Sequence, residues 1–218
     1  MAKPAADSGE LRIVRLTPAR MDDMRKVLSG TWGSQCWCIF PRRTARVTLS
    51  KIAGRPVGDS RSAMTVLAKR RRAPGLLAYV GKEVAGWIAV APRPDLARID
   101  ASKATPRVDD VPVWVIPCIT VWRPFRGRGV ARALILAAVE YAASQGAPAV
   151  EGYPRAGDVR VHDDFAFIGT EALFRKAGFR RVRGVLDPLP RGWTPRVTMR
   201  VTCTSKTSRR PRARSAAA

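Results

Sequence analysis

Four arginines and two glycines crowd the run Trp122-Arg-Pro-Phe-Arg-Gly-Arg-Gly-Val-Ala-Arg132. Gly127 and Gly129 free the backbone for a tight turn, and Arg126, Arg128 and Arg132 surround it. If a helix starts at Val130, its unsatisfied N–H groups point into the same space, so the chemistry on offer is the binding of an anion, most naturally a diphosphate. Downstream, Glu151 and Tyr153 could move protons, with Asp158, His162, Asp163 and Asp164 in the loop behind them. Glu151 is the first candidate for a general base, acting directly or through water. Each has a plain alternative: Glu151 pairs with one of many arginines, and a lone histidine in a polar loop is commonly a solvated surface residue.

The elements that must position these residues are legible. Val113-Trp-Val-Ile-Pro-Cys-Ile-Thr-Val121 is apolar, β-branched and bounded by breakers, which predicts a buried strand. Val130, Leu134, Ala137, Ala138, Tyr141 and Ala142 recur at helical spacing, and Gly146-Ala-Pro148 stops the helix. Ala149-Val-Glu-Gly-Tyr153 predicts the next strand, parallel to the central one. Earlier, Leu11 to Leu16 alternates as a strand, and Thr17-Pro18 opens a helix to about Leu28, closed by Ser29-Gly30. A loop rich in aromatics and cysteine runs from Thr31 to about Pro41. It reads as a hydrophobic cluster under a long loop, with a pocket border as the alternative. A helix is expected from Arg61 to Arg72, with Lys69-Arg-Arg-Arg72 complementing its dipole rather than forming a nucleic-acid patch. Leu76–Val80, Gly81-Lys82 and Glu83–Ala91 read as a β-hairpin. Gly169-Thr170 opens a short helix through Ala177, capped by Gly178, and two strands, Phe179–Val182 and Arg196–Thr202, finish the chain.

The chain has 218 residues, of which 46% are hydrophobic, enough for one α/β (α+β) domain with a core. The expected organisation is a flexible leader over residues 1–9, a single domain over 10–203 and a basic disordered tail over 204–218. Forty Lys and Arg against 17 Asp and Glu give a formal charge of +23. Such a balance suits anionic partners, although an arginine-rich composition explains it equally well. The surplus is spread over the body rather than confined to the tail. Four cysteines at 36, 38, 118 and 203 make no disulfide framework, no signal peptide is evident, and a reducing cytoplasm is expected. Cys36-Trp-Cys38 has no second close pair, and no metal site is expected.

Two nucleotide folds compete for the glycine turn. Gly127-x-Gly129 with Glu151 further on imitates a dinucleotide-binding turn. Against it stand Arg132 at the third glycine position, the late place of the motif in the chain, and a preceding hairpin in place of a βαβ unit. A nucleoside-triphosphate loop is excluded because no G-x-x-x-x-G-K-[ST] occurs. The plain alternative is a tight turn with its arginines in solvent.

Arg126-Gly-Arg-Gly-Val-Ala131 resembles the R/Q-x-x-G-x-G/A signature of the GNAT superfamily, the Gcn5-related N-acetyltransferases, with Arg126, Gly129 and Ala131 at matching places. The order of elements and the downstream Ala177-Gly-Phe179 agree with it over roughly residues 10–203. The resemblance implies a central mixed, mostly antiparallel sheet flanked by helices, with acetyl-CoA bound where two parallel central strands splay. It implies that Ile119, Thr120 and Val121 meet the pantetheine arm and that the amides of Arg126, Gly127, Arg128, Gly129, Val130 and Ala131 hold the diphosphate. Arg128 and Arg132 are placed to reach the 3′-phosphate. An acetyl-CoA-dependent transfer to a primary amine of a small molecule or peptide follows, with no metal. The acceptor pocket would be built from Trp32 to Phe40 and Pro154 to Ile168.

One departure matters. Where many members carry a tyrosine as general acid in the short last helix, this chain has Phe174, which would still lie at the cofactor but has no proton to give. Tyr153 and Cys118 are the replacements, unless the thiolate leaves unassisted, since a thiol of pKa about 8.5 is a tolerable leaving group. The alternatives are a non-catalytic acyl-CoA-binding module and an acetyltransferase acting on RNA-associated substrates. Nucleic acid is an admissible partner through the basic surface without being required; no membrane partner is expected, and the chain is read as a monomer or homodimer.

Overall fold

The computed structural model describes residues 9–31, 33–44, 57–157, 163–189 and 194–203, with the backbone alone at 57–59 and 163–165. Residues 1–8 of the leader expected over 1–9, the tail over 204–218, Trp32, Asp158 and His162 lie outside the described residues.

Seven strands form one sheet in the order β1-β2-β3-β4-β5-β7-β6. They are β1 (Leu11–Arg15), β2 (Gly75–Val80), β3 (Glu83–Pro92), β4 (Trp114–Val121), β5 (Ala149–Gly152), β6 (Arg180–Arg183) and β7 (Thr198–Thr202). Every neighbouring pair is antiparallel except β4 and β5, which run parallel. The expected mixed, mostly antiparallel sheet is therefore present. The β2–β3 hairpin turns on Gly81, whose φ of 59° suits a glycine, followed by Lys82.

Helices cover both faces. They are α1 (Met21–Leu28), α2 (Gly33–Cys36), α3 (Val57–Ala68), α4 (Ala97–Asp100), α5 (Val130–Ser144) and α6 (Glu171–Lys176). On one face Val130, Leu134, Ala138 and Ala142 of α5 meet Ala78, Ile88, Ile116 and Val150 of the sheet. On the other face Met21, Met24, Val27 and Leu28 of α1 pack with Leu77, Tyr79 and Trp87. Burial at helical spacing on α5 and α1 drives this, at about 25 cal/mol for each Å² of apolar surface removed from water. Among the described residues no helix is long and apolar enough to cross a membrane.

The helix expected at Arg61–Arg72 runs instead from Val57 to Ala68. Its end is set by Pro74, which drives Ala73 toward extended backbone, and by four consecutive cations that repel one another along a helix. The helix expected from Thr17 begins as a 3-10 turn, Pro18–Arg20, and becomes α-helical at Met21. Thr17 takes its Oγ1 to the Arg20 guanidinium and makes no capping bond.

The loop after α1 packs into the core: Cys36, Trp37, Cys38 and Ile39 are all buried. Trp37 and Cys38 both have left-handed φ, 48° and 53°, which costs a non-glycine residue about 1–2 kcal/mol apiece. Burial of the Trp37 ring and the bond from Trp87 Nε1 to Cys38 Sγ, 3.2 Å, hold the turn in place.

The outer strand β6 reads Arg-Arg-Val-Arg. Its first three residues are exposed.

Candidate functional site

Strands β4 and β5 are paired only over Trp114↔Val150, Val115↔Glu151 and Ile116↔Gly152. Pro117 follows at once. It has no N–H to offer a neighbour, and the register of β4 against β3 shifts here. From Cys118 to Val121 the strand keeps β3 on one side while β5 no longer runs beside it on the other. Ile119 turns a buried side chain into the core, whereas Thr120 and Val121 are half-buried. The parted edge has the spacing of backbone donors and acceptors that an extended amide-bearing chain can pair with.

The glycine turn lies directly beyond. A 3-10 turn, Arg123–Phe125, leads to Gly127 and Gly129 with φ of 78° and 76°, and Gly129 is the N-cap of α5. A Cβ at either glycine would meet nothing within 4 Å, so the requirement is conformational, not a matter of crowding. Val130 is buried and anchors the first turn of α5, and Ala131 is half-buried against the core. The N–H groups of that first turn have no carbonyl of the helix in reach and face the open side, where the dipole favours an anion.

The arginines divide. Arg126 is exposed and its Nε donates to the carbonyl of Val121 at 3.1 Å, which ties the turn to the end of β4. Arg128 is exposed over the Phe125 ring at 5.5 Å. Arg132 donates from Nε to the carbonyl of Lys176 at 2.8 Å, where α6 ends, and so joins the glycine-turn helix to the last helix.

Phe174 belongs to the interior. It has no exposed surface, packs edge-on against Phe179 at 5.0 Å, and fills the space beside β5: a Cβ on Gly152 would fall 2.2 Å from its Cε1. Thr170 caps α6 by accepting from the Leu173 N–H at 3.2 Å, which sets the ring's position.

Glu151 and Tyr153 come together, with Arg93 and Arg200, which the sequence did not single out. Glu151 is fully buried; its Oε1 accepts from Arg200 at 2.9 and 2.6 Å and its Oε2 from the Tyr153 hydroxyl at 2.7 Å. The Tyr153 oxygen in turn accepts from Arg93 Nη1. Burial, then the Glu151 charge, pushes the Tyr153 phenol far above its usual range. Arg93 also donates to Asp100 and to the carbonyls of Ile99 and Thr105, while Arg200 reaches Asp109. This network fastens the excursion between β3 and β4 to β5 and β7. Nothing in the sequence separates Arg93 from the other cations, of which there are 40 with Lys included.

Cys118, on the parted stretch of β4, is buried beside Cys38, and its Sγ lies 3.9 Å from Thr120 Oγ1. The contact with Cys118, then burial, drives the Cys38 thiol well up, and burial raises Cys36 to about 12. Among the described residues no group of His, Cys, Asp and Glu could hold a metal ion. Asp163 and Asp164 open a 3-10 turn, Asp163–Ile168, that lies beside β4.

Residues 46–167 match the family described as Acetyltransferase (GNAT) family. The chain belongs to this family. Solved structures of GNAT proteins share the fold at low identity. A putative GNAT-family acetyltransferase from Desulfovibrio desulfuricans is 15% identical, with 89% of this chain and 100% of that one covered and a TM-score of 0.53. The polyamine N-acetyltransferase of Drosophila melanogaster, an enzyme that forms N-acetylagmatine, is 11% identical, with 88% and 100% covered and a TM-score of 0.55. A Gcn5-related N-acetyltransferase from Kribbella flavida is 17% identical with a TM-score of 0.48; the match takes in 81% of this chain and only 34% of that longer one. No curated protein matches by sequence. Within the GNAT family, the parted strands and the glycine turn are the elements expected from the signature.

Proposed function

We propose that this GNAT protein transfers the acetyl group of acetyl-CoA to a primary amine of a small molecule or peptide. One observation carries the reading: the parallel pair parts after Ile116 and Gly152, and the strand edge so released leads straight into the glycine turn that opens α5. Backbone groups of Ile119, Thr120 and Val121 pair with the pantetheine amides. The amides of Arg126 to Ala131 hold the diphosphate, and Arg128 reaches the 3′-phosphate. Arg132, bound to the Lys176 carbonyl, keeps α5 and α6 in register beside it.

We read the proton chemistry differently from the expectation for Glu151 and Tyr153. Both oxygens of Glu151 are occupied and the residue has no exposed surface, so we assign it to positioning the end of β5 rather than to deprotonating the amine. The Tyr153 proton is given to Glu151, which removes it as the general acid. Acetyl transfer then rests on orientation of a neutral amine against the thioester, on polarisation of the carbonyl by β4 amides near Ile119, and on a thiolate that leaves unassisted or with help from Cys118.

A second reading, an acyl-CoA-binding module without turnover, is favoured by Phe174, a wholly buried ring where the resemblance leads one to expect a phenol. Calorimetry with acetyl-CoA followed by thiol release over a panel of amines distinguishes the two. Saturable binding with amine-dependent thiol release supports the transferase, binding without release supports the module, and no binding overturns both.

A further inference from the structure

The cluster Lys69-Arg-Arg-Arg72 is not explained by the helix before it. Helix α3 closes at Ala68 and all four cations lie beyond it, exposed. A helix dipole acts within its last turn, which leaves Arg70, Arg71 and Arg72 without that role. Arg70 instead joins Arg42 and Arg43, from the 3-10 turn Phe40–Arg42 and the residue after it, around an open groove of about 480 Å³. Ile39, Val66 and Leu67 form its apolar floor.

The charge of the groove is one-sided. Among the described lining residues Asp95 is the one acid, and it lies 3.9 Å from a fourth arginine, Arg72. Burial lowers the pKa of Arg42, Asp95 opposes this, and the neighbouring Arg70 adds a smaller lowering. Guanidinium groups held at this proximity gain most from an anion between them.

Location separates the groove from the coenzyme site. It shares Arg42, Leu67, Arg70 and Asp95 with a smaller cavity that reaches Pro74, Val90 and Ala91, where β2 begins and β3 ends, whereas the glycine turn follows Val121 at the other end of β4. It is concave, and among the described residues only Val66 of the exposed large apolar ones lines it, which is poor equipment for entering a bilayer. Planar arginines match phosphate oxygens in bidentate fashion, stack on bases, and leave an apolar floor for sugar and base faces.

We propose that this groove binds single-stranded nucleic acid, with its phosphates held by Arg42, Arg43 and Arg70. The contact is independent of acetyl transfer and gives the basic surface a defined place on the fold.

Fluorescence anisotropy of the full chain with a labelled oligouridylate of about ten nucleotides, between about 50 and 200 mM KCl, tests it. The double variant R43E/R70E is compared with a charge-matched control at two exposed sites elsewhere, K82E/R180E. R43E/R70E is expected to bind about tenfold more weakly at the lower salt, with the log–log salt slope shallower by about 1.4, the value for two lost single-strand phosphate contacts. The control should stay within about twofold of the unaltered chain, because screened distant charges contribute little. Equal losses in both variants would assign the effect to diffuse charge and overturn the proposal. So would absence of saturable binding by the unaltered protein, or binding confined to phosphatidylserine-containing vesicles. If R43E/R70E melts at a lower temperature than the control, R43Q/R70Q replaces it. A smaller loss in the same direction is then expected, and no loss overturns the assignment.

Discussion

At the level of single residues, the glycines separate into two kinds. Gly129 is required for its left-handed backbone alone, so Gly129→Ala should cost about 1–2 kcal/mol of local strain and weaken coenzyme A binding several-fold by calorimetry, with little change in the hydrophobic core. Gly152 is required for space. Gly152→Ala drives a methyl into Phe174 and is expected to lower stability by about 1–3 kcal/mol in urea unfolding, a loss that Phe174→Leu in the same chain should partly restore. Glu151→Gln tests the positioning role. Loss of a buried charge partner should cost about 3 kcal/mol, moderated because Arg200 keeps Asp109. If Glu151 positions and does not deprotonate, the rise of kcat/KM with pH should follow the acceptor amine in both proteins, and a limb present only in the unaltered enzyme would return Glu151 to the role of base.

At the level of elements, strands and helices with a clean period were legible in the sequence: β4, the hairpin, α5 and α6 lie within a residue or two of expectation. Alternation and helical spacing report which face is buried, and burial is what fixes these elements. α3 was misplaced at both ends because Gly58 and Asp59 carry weak helix propensity and the basic run looked like a last turn. The parting of β4 from β5 was anticipated from the signature, whereas the Arg93–Tyr153–Glu151–Arg200 network was not. It joins residues dozens of positions apart, and an arginine with four hydrogen-bond partners looks in sequence like any other arginine. Among the described residues the left-handed pair Trp37 and Cys38 had no signal either, since neither type favours that backbone.

For the whole molecule, titration should bracket stability from both sides. The Glu171 carboxylate is held below its ordinary range by hydrogen bonds from Arg181, and Asp109 likewise by Arg200. Their contribution is present above the unfolded carboxylate range and is lost as pH falls through the depressed folded values, so the acid limb of a urea-stability profile should flatten in Glu171→Gln. Burial raises Tyr79 to about 12 and Tyr153 further in the same direction. The unfolded chain loses these protons first, and stability should therefore fall as pH climbs above about 10, with Tyr79→Phe reducing the fall between there and about 12.

The arginines of β6 bear on how the protein behaves in a crowded solution. An outer strand presents unpaired backbone groups to any other chain, and Arg180 and Arg183, the latter bonded only to the Pro106 and Arg107 carbonyls among the described residues, flank those of β6 with charge. Two copies meeting edge to edge would bring like guanidinium groups together, so the strand discourages its own extension into a fibre. This protection is electrostatic and weakens with added salt, which places the onset of self-association under the control of ionic strength rather than of folding stability.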